Sequence, residues 1–195
     1  MLEAVCKPWF NSIFLSPLVS TLARCGIKKP NVITGTGCLL GVMVVPSLAY
    51  GYKFLAVMLI LLSGIMDVLD GAIARKVNCT SSAGAIYDIV GDRVVEFAII
   101  LGLFLIAPEQ RALDSILMLG SILLCVTSFL VVGIVDEAES EKSFYYSPGL
   151  MERPEAFIFF IAMILMPQAY AVLAKLFTGL VLYTAAYRVW EYRSA

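Results

Sequence analysis

The sequence predicts an all-α integral membrane protein, a six-transmembrane-helix bundle with an N-terminal interfacial amphipathic helix. Three observations predict it. Of 195 residues, 61% are hydrophobic and only 15% charged, with a mean hydropathy of +0.91, whereas soluble domains carry about 45–50% apolar and about 25% charged residues. The apolar residues fall into six stretches that reach, or nearly reach, the roughly 20 residues needed to span a bilayer. Lys and Arg are unevenly divided between the connections that would alternate across the membrane.

Met1 to Ile27 lacks the basic-then-apolar order and the small-residue cleavage site of a secretory peptide. Trp9, Phe10, Ile13, Phe14, Leu18 and Leu22 can share one side of a helix, with Lys7, Asn11, Ser12, Thr21 and Arg24 on the other. Such a segment lies in the interface, and residues 1–28 are assigned to it. Residues 29–195 form the six-helix domain, with spans expected at about 32–50, 54–75, 84–107, 112–135, 154–167 and 170–191. The fifth is short and bracketed by Pro154 and Pro167, so its helix is expected to extend backwards through 148–153. Short connections favour antiparallel neighbours in one bundle.

With both termini in the cytoplasm, that side carries Lys7, Arg24, Lys28, Lys29, Arg75, Lys76, Lys142, Arg153, Arg188 and Arg193, against Lys53, Arg111 and Lys175 opposite. The excess of basic residues marks the cytoplasmic side. The expected location is the cell (inner) membrane of a prokaryote. The formal charge of -1 supplies no basic patch for nucleic acid. Five scattered cysteines without a C-x-x-C pair argue against a disulfide framework or a zinc site. The absence of histidine removes serine–histidine triads and most transition-metal sites.

Four acids stand inside expected spans: Asp67 and Asp70 in the second, Asp88 and Asp92 in the third. A charge at the centre of a spanning helix costs about 2.5–3.5 kcal/mol even on the lenient insertion scale. Spacings of three and four place each pair on one helix face. A short polar turn joins the two helices, so both pairs can meet at the cytoplasmic end. Four carboxylates gathered there cannot all stay ionised without cations. Arg75 and Arg93 would neutralise part of the charge, and a hard divalent metal with oxygen ligands, Mg²⁺ or Mn²⁺, the rest. Gly71, Ala72, Ala74, Gly84, Ala85 and Gly91 are interleaved with the acids. They serve either close helix packing or a bulky ligand against Gly71 and Gly84 whose phosphate Arg75 holds. A purely structural ion-pair network would not need so large a surplus of negative charge.

Asp67-Val-Leu-Asp70-Gly71-Ala-Ile-Ala74-Arg75, eight further residues, then Gly84-Ala-Ile-Tyr-Asp88-Ile-Val-Gly-Asp92 resembles the signature of the CDP-alcohol phosphatidyltransferase (CDP-alcohol phosphotransferase) family. That signature reads D-x-x-D-G-x-x-A-R, eight residues, G-x-x-x-D-x-x-x-D, and all eight fixed positions match over 26 residues. Lys29-Pro30-Asn31-Val32-Ile33-Thr34 is similar to the P-N-x-x-T start of the family's first span, a weaker match. The resemblance implies a membrane enzyme of phospholipid biosynthesis that displaces CMP from CDP-diacylglycerol or a similar CDP-lipid with a small alcohol. It implies Asp67, Asp70 and Asp88 as metal ligands and Asp92 as a further ligand or neighbour and as the general base. Two ions, Mg²⁺ or Mn²⁺, would stabilise both ends of the displacement. Asn31, Asp70, Gly71, Ala74, Arg75 and Gly84 would line the CDP pocket.

For the acceptor, Asp92-Arg93 resembles the ending found in members that use inositol phosphates. Gly149-Leu-Met-Glu152-Arg153-Pro-Glu155 is similar to a G-x-x-x-R-x-E-R element of those enzymes, with Ala156 in place of the final Arg. Arg93, Lys142 and Arg153 are the candidates to hold an acceptor phosphate; an internal salt bridge from Arg93 to Asp92 or Glu96 is the alternative for that residue. A phosphorylated polyol, inositol phosphate or glycerol 3-phosphate, is the expected acceptor, with serine or another alcohol as the alternative. A cation-coupled transporter is the rival from another class. It would require discontinuous helices at the midplane, preferably in repeated halves, and no repeat is evident. Gly35, Gly37 and Gly41 would suit a homodimer seam or packing inside one bundle.

Overall fold

The computed structural model describes residues 30–76, 82–139 and 150–194. The elements formed there are helices, with no strand among the described residues. The amphipathic segment expected over 1–28 lies outside the described residues, as does Lys142. Contacts divide the chain into two compact units, one ending at Ile106 and the other beginning at Ala107.

The first unit holds α1 (Pro30–Val42), α2 (Val44–Ala49), α3 (Lys53–Lys76) and α4 (Ser82–Ile106). The expected first span is divided at Met43. Pro46 has no N–H to give to the Val42 carbonyl, yet Met43 keeps α-helical angles and Ser47 still donates to the Met43 carbonyl at 3.3 Å. Gly51 ends α2 with a φ of +80°. Its N–H donates to Leu48 and that of Tyr52 to Ser47, the glycine-dependent closure that reverses a helix.

α1 packs on both α3 and α4. Gly37 faces α3, where an added Cβ would lie 3.0 Å from that of Met66; Gly41 faces α4, where it would lie 2.6 Å from Cγ2 of Val95. These two glycines are therefore used inside the unit and not as a dimer seam. Gly35 has open space around it. Ser63 of α3 donates to the Gly37 carbonyl at 2.8 Å, and Ile33, Leu69 and Ile73 form a buried apolar cluster between α1 and α3.

The second unit holds α5 (Pro108–Glu139), α6 (Arg153–Leu165), a 3₁₀ turn (Pro167–Ala169) and α7 (Tyr170–Ser194). α7 packs on α5 and α6, with Phe160 and Phe177 in contact at a centroid separation of 5.3 Å. α6 does not extend back through 150–152 as expected: Glu152 is extended (φ −104°, ψ 177°) and the helix starts at Arg153. Proline is favoured in a first helical turn, where its missing N–H has no partner to lose, so Pro154 marks the start. α5 begins at Pro108, ahead of the expected 112. It thereby carries Arg111, expected in a connection, to a buried position 4.2 Å over the Tyr170 ring.

Among the described residues, Pro30–Ala49, Lys53–Lys76, Pro108–Val135 and Pro167–Arg193 are long and apolar enough to cross a membrane. The 25-residue α4 has the length but carries Asp88, Asp92, Arg93 and Glu96, and α6 has 13 residues.

Candidate active site

Asp67, Asp70 and Asp88 come together from the C-terminal part of α3 and the first turns of α4, each offering a carboxylate oxygen within 4.8 Å of the other two. Asp70 is buried, and Asp67 and Asp88 are partly so. The three-residue step within α3 puts Asp67 and Asp70 on one face. Asp70 is also bound from the side: the Thr34 hydroxyl of α1 donates to its Oδ2 at 2.5 Å. Ile33, next to Thr34, and Leu69, next to Asp70, belong to the buried cluster that fixes α1 against α3.

This donor set fits a hard divalent cation. It is made of carboxylate oxygens, which suit Mg²⁺ and Mn²⁺. Three carboxylates this close repel one another, and a cation between them relieves that repulsion.

Asp92 lies one helical turn beyond Asp88 and outside this group of three. Its Oδ2 is 4.0 Å from Nη2 of Arg93, and Nη1 of Arg93 is 2.7 Å from Oε2 of Glu96. The internal salt bridge open to Arg93 is formed with Glu96 through Nη1, which leaves Nη2 for a further contact. Arg75, exposed at the end of α3, folds back one turn so that a Cβ on Gly71 would lie 3.4 Å from its Nη1. Gly71 thus leaves a bare stretch of backbone beneath a guanidinium. Ala74 is one turn after Asp70, Gly84 one turn before Asp88, and Asn31 is exposed one turn before Thr34. Arg153 belongs to the second unit, with its guanidinium 5.3 Å over the Phe157 ring.

Thr34 and Glu96 were not singled out as site residues by sequence reasoning. The signal for Thr34 was present, since it closes the P-N-x-x-T element. Glu96 was legible as a carboxylate four residues after Asp92 within an apolar helix.

A helical membrane protein with three acids converging on one point between two helices is defined as a class by this geometry. The chain belongs to the CDP-alcohol phosphatidyltransferase family, whose model matches residues 28–190. It is 35% identical over 184 residues to the inner membrane protein YnjF of Escherichia coli, covering 91% of this chain and 88% of that one. It is 30% identical over 148 residues to the phosphatidylinositol phosphate synthase of Mycobacteroides abscessus, covering 75% and 66%. The fold is similar to that of Mycobacterium tuberculosis phosphatidylinositol phosphate synthase in complex with manganese and citrate. There the TM-score is 0.72 at 22% identity, covering 92% of this chain and 88% of that one. The same enzyme with CDP-DAG bound matches with a TM-score of 0.66 at 24% identity, over 90% and 92%.

Proposed function

We propose that this protein is a metal-dependent phosphatidyltransferase that moves the lipid-phosphate group of CDP-diacylglycerol, or a similar CDP-lipid, to a small alcohol and releases CMP. The acceptor is a phosphorylated polyol, an inositol phosphate or glycerol 3-phosphate. The observation that carries this reading is the convergence of Asp67, Asp70 and Asp88 to within 4.8 Å in a chain of this family. Relatives described as phosphatidylinositol phosphate synthases and the neighbouring structures with manganese and with CDP-DAG support it.

In this reading Asp67, Asp70 and Asp88 hold the cations, with Asp92 as a further ligand or close neighbour. Two Mg²⁺ or Mn²⁺ ions, when bound, stabilise charge on the attacking and leaving oxygens. Thr34 fixes one Asp70 oxygen through its hydrogen bond and so orients the other. Gly71 lets the diphosphate approach the backbone of α3, where Arg75 covers it with donors suited to phosphate oxygens. Ala74, Gly84 and Asn31 complete the CDP pocket. The acceptor hydroxyl oxygen attacks the lipid-bearing phosphorus, its proton passes to Asp92, and the bond to CMP breaks with the bridging oxygen leaving on CMP. Arg93, Lys142 and Arg153 hold the acceptor phosphate.

The chain crosses the membrane six times, α4 and α6 included, and the 1–28 segment lies in the interface. Both termini and the active site face the cytoplasm, a reading supported by the uneven division of Lys and Arg along the chain, with Arg75 and Lys76 at the end of α3 on the richer side, so lipid tails stay in the bilayer while nucleotide and alcohol meet at its surface.

The test is CMP formation by purified protein in detergent with CDP-diacylglycerol and Mn²⁺. Glycerol 3-phosphate, inositol 1-phosphate, inositol and serine are compared, with Asp92→Asn alongside. CMP release that depends on a phosphorylated acceptor and is lost in the variant is expected. Release that survives Asp92→Asn, or that responds only to an unphosphorylated acceptor, contradicts the assignment.

A further inference from the structure

Glu96 has no part in the reaction set out above, yet it is a carboxylate only 5% exposed inside an apolar helix. A buried charge at membrane depth is retained where it has a partner and a task. Arg93 is one such partner, with its Nη1 2.7 Å from Oε2 of Glu96. The pair joins residues three apart, one turn along α4, and the contact holds the guanidinium. Nη1 is held by the buried carboxylate, and Nη2 lies 4.0 Å from the Asp92 carboxylate. The Arg93 side chain is 35% exposed against 6% for that of Glu96, so the buried acid sets the orientation of a more accessible cation. A guanidinium is planar, so a carboxylate oxygen held 2.7 Å from Nη1 limits where Nη2 can lie.

We infer that Glu96 is a positioning residue for acceptor selection: it holds Arg93 so that the second edge of the guanidinium is presented beside Asp92, where it reads an anionic group on the incoming alcohol. The inference rests on the proposed reading, in which Asp92 receives the proton of that alcohol. The acceptor must bring its hydroxyl to Asp92, so a phosphate on the same small molecule comes within reach of Arg93. Without Glu96 the arginine keeps its charge and loses its direction. Discrimination between phosphorylated and neutral acceptors then falls, while the CDP-lipid, bound by residues of α1, α3 and the start of α4, is unaffected.

The test is steady-state CMP release by wild type, Glu96→Gln and Glu96→Asp, with CDP-diacylglycerol and each acceptor varied separately. Glu96→Gln is expected to raise KM for the preferred phosphorylated acceptor about tenfold, the scale of one lost charge-assisted contact. KM for CDP-diacylglycerol and for unphosphorylated inositol should stay unchanged, and Glu96→Asp, which keeps the charge on a shorter arm, should fall between. A variant that loses activity equally toward all substrates, or retains the wild-type KM for the phosphorylated acceptor, overturns the inference while leaving the phosphatidyltransferase reading intact. If Glu96→Gln does not fold, Glu96→Asp decides alone: a raised KM for the phosphorylated acceptor supports the inference and an unchanged one overturns it. Wild-type protein that releases no CMP with any acceptor overturns the functional reading and this inference with it.

Discussion

The Thr34 hydroxyl and the Asp70 carboxylate, 36 residues apart in the chain, are joined by a hydrogen bond of 2.5 Å. Through it the first helix reaches the acid cluster and fixes one oxygen of a buried ligand candidate. Groups that orient metal ligands in this way are worth about 10–100-fold in metal affinity or activity. Thr34→Val keeps the shape and removes the donor. The Mn²⁺ concentration giving half-maximal CMP release should rise about tenfold, and Thr34→Ser should restore it.

Gly71 is the bare position beneath the Arg75 guanidinium, and a methyl there would meet Nη1 at 3.4 Å. That is ordinary contact, so the fold accepts it, and replacing a helical Gly by Ala gains up to about 1 kcal/mol of helix propensity. Gly71→Ala should therefore melt no lower than wild type while KM for the CDP-lipid rises several-fold, as the methyl fills the approach of the diphosphate to the backbone. A thermal melt in detergent beside CDP-diacylglycerol kinetics checks both halves.

At Gly41 the outcome is reversed. A Cβ would lie 2.6 Å from Cγ2 and 2.7 Å from Cγ1 of Val95, a residue 1% exposed between α1 and α4. Overpacking of this kind costs about 1–3 kcal/mol. Gly41→Ala should lower the melting temperature, and Val95→Ala in the same chain should recover much of the loss. An additive double variant would mean that the two residues do not meet.

Tyr170 closes the buried polar group of the second unit. Its hydroxyl is 3.1 Å from the Ser115 hydroxyl and its ring lies beneath Arg111. Tyr170→Phe keeps the ring and drops one buried hydrogen bond, a loss of about 0.5–1.5 kcal/mol. A small fall in melting temperature with unchanged kinetics is expected, since none of the proposed catalytic or binding residues is touched.

The acid cluster was legible because charge is so unwelcome in an apolar helix that its presence and spacing carry information. Asp67, Asp70 and Asp88 could be placed on facing helices from spacing and a short turn alone. Most helix limits followed from apolar run length. The exceptions have local causes. Pro46 removes one hydrogen bond and divides the first span, and Pro108 and Pro154 start helices where one was expected later and the other earlier. The pairing of Arg93 with Glu96 over Asp92 depends on rotamers, which residue spacing does not fix. The bond from Thr34 to Asp70 depends on how deeply α1 packs against α3. Gly37 sets that depth, but the sequence left it open between packing inside the bundle and a seam between copies.

Mn²⁺ binding to purified protein, followed by electron paramagnetic resonance for wild type beside Asp70→Asn, tests the central claim most directly, because it reads the acid cluster without relying on any substrate. Saturable binding in the wild type that is lost in the variant is the predicted result; binding of equal strength in both would contradict the assignment of Asp67, Asp70 and Asp88 as the metal site.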